Sequence, residues 1–329
     1  MSDKKRVLSG MRPTGRLHIG HYFGALKNWV QIQNDYNCFF MVADWHALTS
    51  DYADTSKLKE NIADMVVDWL TIGLDPEKVA IFRQSEVYEH SELFLILSMI
   101  TPLGWLFRCP TYKEQLKEVK SKDLNNYGFL GYPVLMASDI LLYKAQAVPV
   151  GEDQLAHLEL SREIVRRFNN FYGEVLVEPQ PLLTKTARVP GLDKRKMSKS
   201  YGNSILIAET EDEIAKKVKT MFTDPARIKA TDAGHPEGCV VFAFHKLFNK
   251  NFEERKCQCE AGTIGCVKCK KELTELMCEW TKPFVQKRKE IAENKQTIEK
   301  ILEQGCQKAR ETASKTIKEI KEAVKIGKL

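Results

Sequence analysis

Residues 6–21, RVLSGMRPTGRLHIGH, decide the fold that the sequence predicts. The short apolar run Arg6–Ser9 predicts a strand ending at Gly10, and the turn residues Arg12-Pro13-Thr14-Gly15 follow it. A helix is expected from about Leu17, because the apolar residues after it recur at roughly helical spacing. The buried face of that helix is predicted to carry Ile19, Phe23, Leu26 and Val30. The opening of the chain is therefore a strand, a turn and a helix.

The same alternation continues along the next hundred residues. Cys38–Ala43 and Val79–Phe82 are continuous apolar runs, as expected for strands covered on both faces. Between them, the i, i+4, i+7, i+11 spacing predicts a packed helix that carries Leu58, Ile62, Met65 and Trp69. A further helical stretch begins near Ser91. This βαβα order predicts an α/β class with a parallel sheet between helices.

The pattern changes near residue 205. Thr210-x-x-Glu213 is a capping-box pattern and predicts a helix start. From Glu272 the chain is rich in Lys and Glu with helical periodicity, and Ile317, Ile320 and Val324 form one apolar stripe. The lysines of this last helix indicate a solvated face more than an RNA groove. We expect a catalytic α/β domain over residues 1–205 and an all-helical domain over 206–329, whose last helix packs back on the first domain.

Bulk properties limit the class of protein. The 329 residues include 43% hydrophobic and 29% charged residues, a composition typical of globular proteins. No apolar run approaches the roughly 20 residues of a membrane helix, and no signal peptide is visible, so we expect a cytoplasmic protein without a membrane partner. The net charge of +6 permits an anionic partner such as RNA without requiring one.

His18-Ile19-Gly20-His21 lies where the first strand has turned into its helix. Helix N-termini present unpaired N–H groups and a partial positive charge, which favour phosphate binding. Gly20 has no Cβ, so a nucleotide can lie close to the backbone there. The two imidazoles can donate hydrogen bonds to phosphate oxygens. Taken alone, the tetrapeptide also fits a surface histidine pair or part of a metal site.

Lys196-Met197-Ser198-Lys199-Ser200 lies between Gly191 and Gly202 in a polar, glycine-punctuated segment. Two ammonium groups on either side of Ser198 suit a mobile loop that closes over a polyphosphate. Such a loop stabilises leaving pyrophosphate by position and charge rather than by covalent chemistry. Taken alone, the lysine pair also fits ordinary solvated charge.

Together, and in this order, the two motifs resemble the HIGH and KMSKS signature of class I aminoacyl-tRNA synthetases. The resemblance implies a Rossmann-type fold, Mg²⁺ and ATP as cofactors, and adenylate chemistry. The residues matching the catalytic positions are His18, His21, Lys196 and Lys199. The residues matching the ATP-binding positions are Arg12, Pro13, Thr14, Gly20, His21, Lys117, Gly151, Glu152, Asp153, Val189, Lys196, Met197, Ser198, Lys199 and Ser200. Arg12 replaces the glutamine that many members carry.

Within that class the chain resembles the tryptophan–tyrosine subgroup over essentially its whole length. The segment around Asp139, YPVLMASDI over residues 132–140, resembles the amino-acid pocket of tryptophanyl-tRNA synthetases, in which the matching aspartate accepts the indole N–H. Indole has one donor and no acceptor, and a buried acceptor rejects ligands that leave it unpaired. The positions matching the tryptophan pocket are Gly10, His46, Tyr132, Met136, Asp139 and Gln154. Without the resemblance, Asp139 also fits a helix cap or a salt-bridged carboxylate.

The resemblance implies a ligase that activates L-tryptophan and transfers it to tRNA(Trp), as a homodimer formed through an insertion in the first domain. A tyrosine–tRNA ligase and a non-catalytic RNA-binding relative are the alternatives. Tyrosine enzymes usually extend into a C-terminal RNA-binding module, and relatives without activity commonly lose HIGH or KMSKS, whereas both motifs are intact here.

The nine cysteines are the remaining feature, because five of them cluster late in the chain. Cys259-x6-Cys266-x2-Cys269 can hold one metal, with Cys239 as the fourth ligand and Cys257 as the alternative. Four thiolates suit a [4Fe–4S] cluster or, alternatively, Zn²⁺. The spacing resembles a subset of bacterial tryptophanyl-tRNA synthetases with a [4Fe–4S] cluster, and unligated thiols are the simpler interpretation. The packing residues are expected to be Cys38, Cys109, Cys278 and Cys306.

Overall fold

Five parallel strands form a sheet in the order β3-β2-β1-β4-β5 in the computed structural model, which describes residues 4–118, 123–183 and 189–327. The side chains of Gln115, Lys117, Glu118 and Ser200 are outside that description. The strands are β1 (Arg6–Met11), β2 (Asn37–Val42), β3 (Ala80–Arg83), β4 (Ala147–Val150) and β5 (Gln180–Leu183). Their connections run through helices, and the predicted α/β class with a parallel sheet is confirmed.

Helices make up most of the remaining described chain. The first nine are α1 (Ile19–His21), α2 (Lys27–Ile32), α3 (Asp44–Asp51), α4 (Leu58–Thr71), α5 (Glu89–Ile100), α6 (Leu103–Arg108), α7 (Pro110–Glu118), α8 (Tyr127–Leu142) and α9 (Leu155–Tyr172). The others are α10 (Glu211–Thr220), α11 (Val240–Phe248), α12 (Phe252–Glu260), α13 (Cys266–Ala292) and α14 (Lys295–Ala323). Among these described helices, none combines the length and apolarity that crossing a membrane requires.

The strand order places β1 between β2 and β4. The chain runs outward from β1 to β2 and β3, then returns to β4 and β5 on the other side of β1. In open parallel sheets, ligands bind outside the carboxyl ends of the strands at such a switch point. Short helical turns follow the carboxyl ends of two strands. Gln84–Glu86 comes directly after β3, and Glu152–Gln154 follows β4 after one intervening residue. The sheet therefore presents polar residues at the edge where a ligand is expected.

The helix predicted from Leu17 differs in one respect. Between α1 and α2, residues Tyr22–Leu26 form a π-helical turn, which accommodates more residues per turn than an α-helix. Ile19 and Leu26 are buried as predicted, but Trp29 is buried where the regular spacing predicts Val30. A change of helical period shifts the buried face, and the sequence spacing alone did not reveal it.

Two compact units result from the packing. The sheet unit comprises the described parts of Met1–Gly15, Asn28–Lys185 and Asn294–Leu329. Its core includes Phe82, Leu97 and Ile164, and it contains α14, which packs along β3. The helical unit comprises the described parts of Arg16–Lys27 and Thr186–Glu293, and its core includes Ile19, Ile214 and Leu273. The expected domain boundary near residue 205 stays a prediction.

Candidate active site

Asp139 lies in the middle of α8, within the sheet unit, and is only 1% exposed. Three side chains surround its carboxylate. His46 Nε2 lies 2.7 Å from Oδ2, His90 Nδ1 lies 2.7 Å from Oδ1, and Gln84 Nε2 donates to Oδ1 over 2.8 Å. A buried carboxylate requires such partners, since an isolated buried charge is strongly disfavoured. Asp139 is therefore a fixed acceptor and not a helix cap.

The protonation state of Asp139 follows from these contacts. Burial raises the pKa of Asp139, but hydrogen bonds from His46 and His90 and their charges outweigh it, so the pKa lies below its ordinary value. His90 Nε2 also lies 2.8 Å from the Tyr143 hydroxyl. With Nδ1 facing Asp139, the contact of Nε2 with the tyrosine hydroxyl holds the other side of the same ring. Tyr143 thereby fixes the imidazole that holds Asp139.

The other residues expected around an amino acid also lie in the sheet unit. Tyr132 lies about two helical turns before Asp139 on α8. Burial raises the pKa of the Tyr132 hydroxyl to about 12. Met136, on the same helix, is partly buried. Gly10 lies near the carboxyl end of β1, where a Cβ would come 3.1 Å from the Met41 carbonyl oxygen of the neighbouring strand. Gln154 ends the turn after β4 and donates to Asp153 over 2.8 Å.

Several expected nucleotide contacts follow strand ends of the same unit. Arg12 comes directly after β1, and its Nη1 donates to Ser50 Oγ over 3.1 Å. Pro13 is buried and Thr14 is exposed, and both lie in the following turn. The loop after β4 carries the other expected contacts, Gly151, Glu152 and Asp153. Lys117 lies in α7, but its side chain is outside the described residues.

The HIGH residues belong to the helical unit and form a reciprocal cap. His18 Nδ1 accepts the backbone N–H of His21 over 3.3 Å, and His21 Nδ1 accepts the backbone N–H of His18 over 3.2 Å. The two rings stack with centroids 3.6 Å apart. This cap orients both imidazoles and uses one of the N–H groups that the sequence suggested for phosphate binding.

Gly20 is required by the packing of HIGH itself. A Cβ at this position would come 2.9 Å from His18 Nδ1 and 3.5 Å from Met197 Sδ. Met197 is buried in the core of the helical unit. The glycine therefore makes room for the His18 ring inside the HIGH turn, a role that the sequence interpretation did not include, and Met197 lies beyond it at ordinary contact distance.

The KMSKS segment is braced at several points. Asn203 Oδ1 accepts the Ser198 N–H over 2.8 Å, while Asn203 Nδ2 donates to Asp193 Oδ1 over 2.7 Å and to the Lys196 carbonyl over 3.2 Å. Lys199 Nζ donates to the Arg16 carbonyl over 2.8 Å. The segment is therefore held by specific contacts in the helical unit. Ser200 continues the same turn, and nearby Val189 is buried in the unit's core.

The lysines set the charge of HIGH. Burial and the charges of Lys199 and Lys196 lower the pKa of His18 to about 4. Burial, His18 and the same lysines hold the pKa of His21 well below its ordinary value. Both imidazoles are neutral at pH 7, so they can donate hydrogen bonds without adding charge, and the positive charge comes from the lysines.

The four expected metal ligands lie in one electrostatic neighbourhood of the helical unit. Burial and the charges of other members raise the pKa of Cys239, Cys259 and Cys269, the last to about 12, and Cys266 contributes to all three. Cys257 is exposed and is not among these causes. Across residues 4–118, 123–183 and 189–327, no three histidine, cysteine or acidic side chains are arranged closely enough to form a metal site.

Two surroundings of this cysteine group were not predicted. A Cβ at Gly234 would come 2.6 Å from Cys259 Sγ, so glycine makes room for that sulfur. His245 Nε2 lies 3.3 Å from Cys269 Sγ. Of the expected packing cysteines, three are buried and Cys278 is partly buried; the buried ones are Cys38, Cys109 and Cys306. Cys109 also has polar partners.

Sequence reasoning missed Gln84, His90 and Tyr143 around Asp139 and Asn203 beside KMSKS. Gln84 had an available signal, since it follows β3 directly at the carboxyl edge of the sheet. Tyr143 also had one, since it lies four residues after Asp139 at the end of α8. His90 had none, because only packing brings α5 against α8.

Known proteins match this chain over nearly its whole length. A sequence model described as tRNA synthetases class I (W and Y) matches residues 2–280. The tryptophan–tRNA ligase of Thermotoga maritima is 50% identical over 98% of this chain and 99% of its own length. The corresponding ligase of Aquifex aeolicus is 43% identical over 98% of this chain and its full length. The Campylobacter jejuni tryptophanyl-tRNA synthetase, solved with ADP and tryptophan, has a TM-score of 0.87 and 37% identity over 98% of this chain and all of its own.

The chain therefore belongs to the class I tRNA synthetases for tryptophan and tyrosine. It is an aminoacyl-tRNA synthetase, and the expected Rossmann-like fold is confirmed.

Proposed function

We infer that the chain is a tryptophan–tRNA ligase, which activates L-tryptophan with ATP and transfers it to tRNA(Trp). The observation that carries the amino-acid specificity is the buried, ionised Asp139, which three donors hold in place. Indole offers one N–H and no acceptor, so a fixed carboxylate pairs with it. We propose that Gly10, His46, Tyr132, Met136 and Gln154 complete the tryptophan pocket.

The first reaction is attack of the tryptophan carboxylate on the α-phosphorus of Mg-ATP, which forms the adenylate and releases pyrophosphate. The carboxylate is already ionised at neutral pH, so no protein base is needed. In the second reaction the tRNA 3′ end attacks the acyl carbon and AMP leaves. Mg²⁺ neutralises phosphate charge when it is bound with ATP. The protein contributes position and charge.

We propose that His18, His21, Lys196 and Lys199 stabilise the phosphates. The neutral imidazoles donate hydrogen bonds, and the ammonium groups offset the negative charge that develops on the leaving pyrophosphate. Arg12, Thr14, Val189 and the loop over 151–153 are proposed as further ATP contacts, together with Pro13, Lys117, Met197, Ser198 and Ser200. Residues 206–329 are proposed as the anticodon-binding part.

Amino-acid-dependent ATP–pyrophosphate exchange with all twenty amino acids tests this function. We expect exchange with tryptophan alone. Exchange with tyrosine but not tryptophan would reassign the specificity, and the absence of exchange with any amino acid would favour a non-catalytic relative.

The role of Asp139 is tested by Asp139→Ala. Loss of the acceptor should raise the KM for tryptophan by about 100-fold and leave the KM for ATP within about twofold, since a site built to pair a substrate N–H discriminates strongly. Equal losses for both substrates would assign Asp139 a structural role. Asp153→Ala is the matched control, because it removes a carboxylate proposed to contact ATP instead.

We propose that Cys239, Cys259, Cys266 and Cys269 hold a [4Fe–4S] cluster, with Zn²⁺ as the alternative metal and Cys257 as the alternative fourth ligand. The four thiols share one electrostatic neighbourhood, and Gly234 leaves space for the Cys259 sulfur. Within the described residues they are not close enough to form a metal site as they stand, so the proposal requires them to move together around the group. A bound metal would stabilise the thiolates that burial disfavours. Its role would be structural, since it would tie α12 to the start of α13.

Metal analysis of enzyme purified without oxygen tests this proposal. About four irons per chain and a brown colour are expected. Zinc without iron would support the four-cysteine site but identify zinc as its metal. The absence of both metals from the full-length enzyme would contradict the site. Cys259→Ser should abolish binding, whereas Cys278→Ser should not.

A homodimer is proposed from an apolar face of the sheet unit. Leu95 and Met99 on α5 are 56% and 74% exposed, and Leu103 and Phe107 on α6 are 58% and 51% exposed. Each pair is spaced i, i+4, so each lies on one helix face. Exposed large apolar groups of this kind mark interaction sites, and a second copy is the common partner. Met99→Lys with Leu103→Lys should convert the dimer to a monomer in light scattering. A monomeric unsubstituted enzyme would contradict this proposal.

A further inference from the structure

Cys109, Thr111, Tyr132 and His157 form a polar cluster in the sheet unit, and the proposed reaction does not use its thiol. Cys109 Sγ lies 3.3 Å from Thr111 Oγ1, which lies 2.8 Å from His157 Nε2. The Tyr132 hydroxyl donates to Thr111 over 3.2 Å and lies 3.1 Å from His157 Nε2. The thiol therefore shares a hydrogen-bonded group with an imidazole and two hydroxyls.

The imidazole is oriented toward this group. His157 is 2% exposed, and its Nδ1 has no hydrogen-bond partner among the described residues. Its hydrogen-bond contacts therefore run through Nε2 to Thr111 and Tyr132, and Thr111 links it to the Cys109 sulfur, whose pKa it lowers. A proton on Nε2 can be donated to the sulfur, which is how a histidine stabilises a thiolate nucleophile.

The thiol is correspondingly acidic. Burial raises the pKa of Cys109, but hydrogen bonds from His157, Thr111 and the Tyr112 backbone, together with the His157 charge, outweigh burial and bring the pKa to about 7. Cys38 and Cys306, which lack such a cluster, have pKa values of about 12 and about 11. At pH 7 a large fraction of Cys109 is therefore thiolate, whereas burial without such partners would keep it a thiol.

A cavity of about 390 Å³ lies against Cys109, which is 6% exposed. Its lining includes Cys109 together with Trp105, Arg108, Leu160 and Glu163. Glu163 pairs with Arg166 over 2.7 Å, while the Arg108 side chain is exposed at the cavity. The cavity thus offers an apolar wall and a cation beside the sulfur, which suits a small molecule that carries carboxylates.

We propose that Cys109 is a modification site at which a carboxylate-bearing, low-molecular-weight disulfide forms a mixed disulfide, and that this weakens tryptophan binding through Tyr132. The Cys109 sulfur attacks one sulfur of the small disulfide. The S–S bond of that molecule breaks, a new S–S bond to Cys109 forms, and the second half leaves as a thiolate that takes a proton from water. The attached group takes Cys109 away from Thr111, which accepts the Tyr132 hydroxyl, so the position of that hydroxyl is disturbed through Thr111.

Site-resolved mass spectrometry of the full-length enzyme treated with oxidised glutathione tests the modification. The mixed disulfide at Cys109 is expected to form with a half-maximal rate near pH 7, whereas the same peptide in urea-unfolded enzyme should show the ordinary thiol value near about 8.5. Cys38 and Cys306 should stay unmodified in the folded enzyme. A folded-state half-point as high as the unfolded one would overturn the proposal, as would no modification of Cys109.

Variants separate the cluster from the cavity. His157→Gln should slow modification at pH 7 by roughly fivefold, because the loss of thiolate exceeds the gain in its intrinsic nucleophilicity. Arg108→Gln should slow the reaction with oxidised glutathione more than that with cystamine, which carries no carboxylate. An equal effect of Arg108→Gln on the two probes would contradict the proposed ligand class. If His157→Gln does not fold, the pH profile of the unsubstituted enzyme still decides the matter.

The effect on tryptophan rests on the proposed function, so tryptophan-dependent exchange is measured before and after treatment. Disturbance of the Tyr132 hydroxyl should raise the KM for tryptophan by roughly tenfold, with dithiothreitol restoring it. Cys109→Ser should resist this change, and Cys278→Ser should not. Absence of exchange before treatment would reject the function alone, and unchanged KM with Cys109 fully modified would reject the coupling.

Discussion

At the scale of single residues, one buried carboxylate shows how the pocket is made specific. Asp139 remains ionised at 1% exposure because His46, His90 and Gln84 donate to it, and Tyr143 in turn fixes His90. The chain predicted the acceptor but not its supporting donors. The three donors lie on α3, in the turn after β3 and on α5. Only tertiary packing brings them together, and a local sequence pattern does not predict it.

The first prediction concerns pH and His90→Leu. Removing the His90 hydrogen bond and charge leaves burial to raise the pKa of Asp139, which lies below its ordinary value in the intact protein. The unsubstituted enzyme should therefore keep its kcat/KM for tryptophan to lower pH than His90→Leu, whose loss of kcat/KM in acid should shift toward neutral pH. The KM for ATP is the control and should not follow this shift. If the pH profiles of kcat/KM for tryptophan of the two enzymes coincide in acid, His90 does not hold Asp139 ionised.

The second prediction concerns Gly20→Ala. The new methyl would come 2.9 Å from His18 Nδ1, so the reciprocal cap with His21 must shift. Because HIGH is proposed to act on the phosphates, kcat for exchange should fall by roughly 10- to 100-fold, with the KM for tryptophan nearly unchanged. Gly104→Ala, where a Cβ meets ordinary contact at 3.5 Å, is the matched control. A rise in the KM for tryptophan without a fall in kcat would show that the substitution disturbs the tryptophan pocket instead of the phosphate site, and would contradict this prediction.

At the scale of elements, local chemistry was predictable and changes of period were not. The Thr210–Glu213 capping box starts α10 as the sequence predicts, because both hydrogen bonds are local to one turn. The strands at Arg6–Met11 and Ala80–Arg83 were likewise evident from apolar runs. The π-helical turn at Tyr22–Leu26 was not evident, since it depends on how the helix packs and not on residue type alone.

The third prediction tests the brace of the KMSKS segment. Asn203→Ala removes the acceptor for the Ser198 N–H and the donor to Asp193 and the Lys196 carbonyl. The lysines should then be positioned less well, and kcat for exchange should fall by roughly tenfold while folding is retained, since each lost hydrogen bond costs about 1 kcal/mol. Asn170→Ala, at an exposed position of α9, is the control. Activity equal to that of the control would show that Lys196 and Lys199 do not need this brace.

At the scale of the whole molecule, chain order and packing order differ. Arg16–Lys27 packs with Thr186–Glu293, while α14 packs with the sheet formed much earlier in the chain. Composition along the sequence shows where the α/β part gives way to the helical part. It does not show which distant segments share a hydrophobic core. HIGH and KMSKS are a case in point, because their contacts join residues that are far apart in sequence.

The last prediction follows from how α14 meets the sheet. Gly305 lies so close to β3 that a Cβ there would come 1.8 Å from the Ile81 carbonyl oxygen, a backbone atom that no side-chain rotation can move aside. Gly305→Ala should therefore push α14 off β3 and lower the free energy of unfolding by about 3 kcal/mol or more, at the upper end of overpacking effects. Gly104→Ala again serves as the control and should change stability by less than about 1 kcal/mol. Urea unfolding of both variants measures the difference. A Gly305→Ala enzyme as stable as the control would mean that α14 does not depend on this close contact, and that the sheet unit is held together by its other helices.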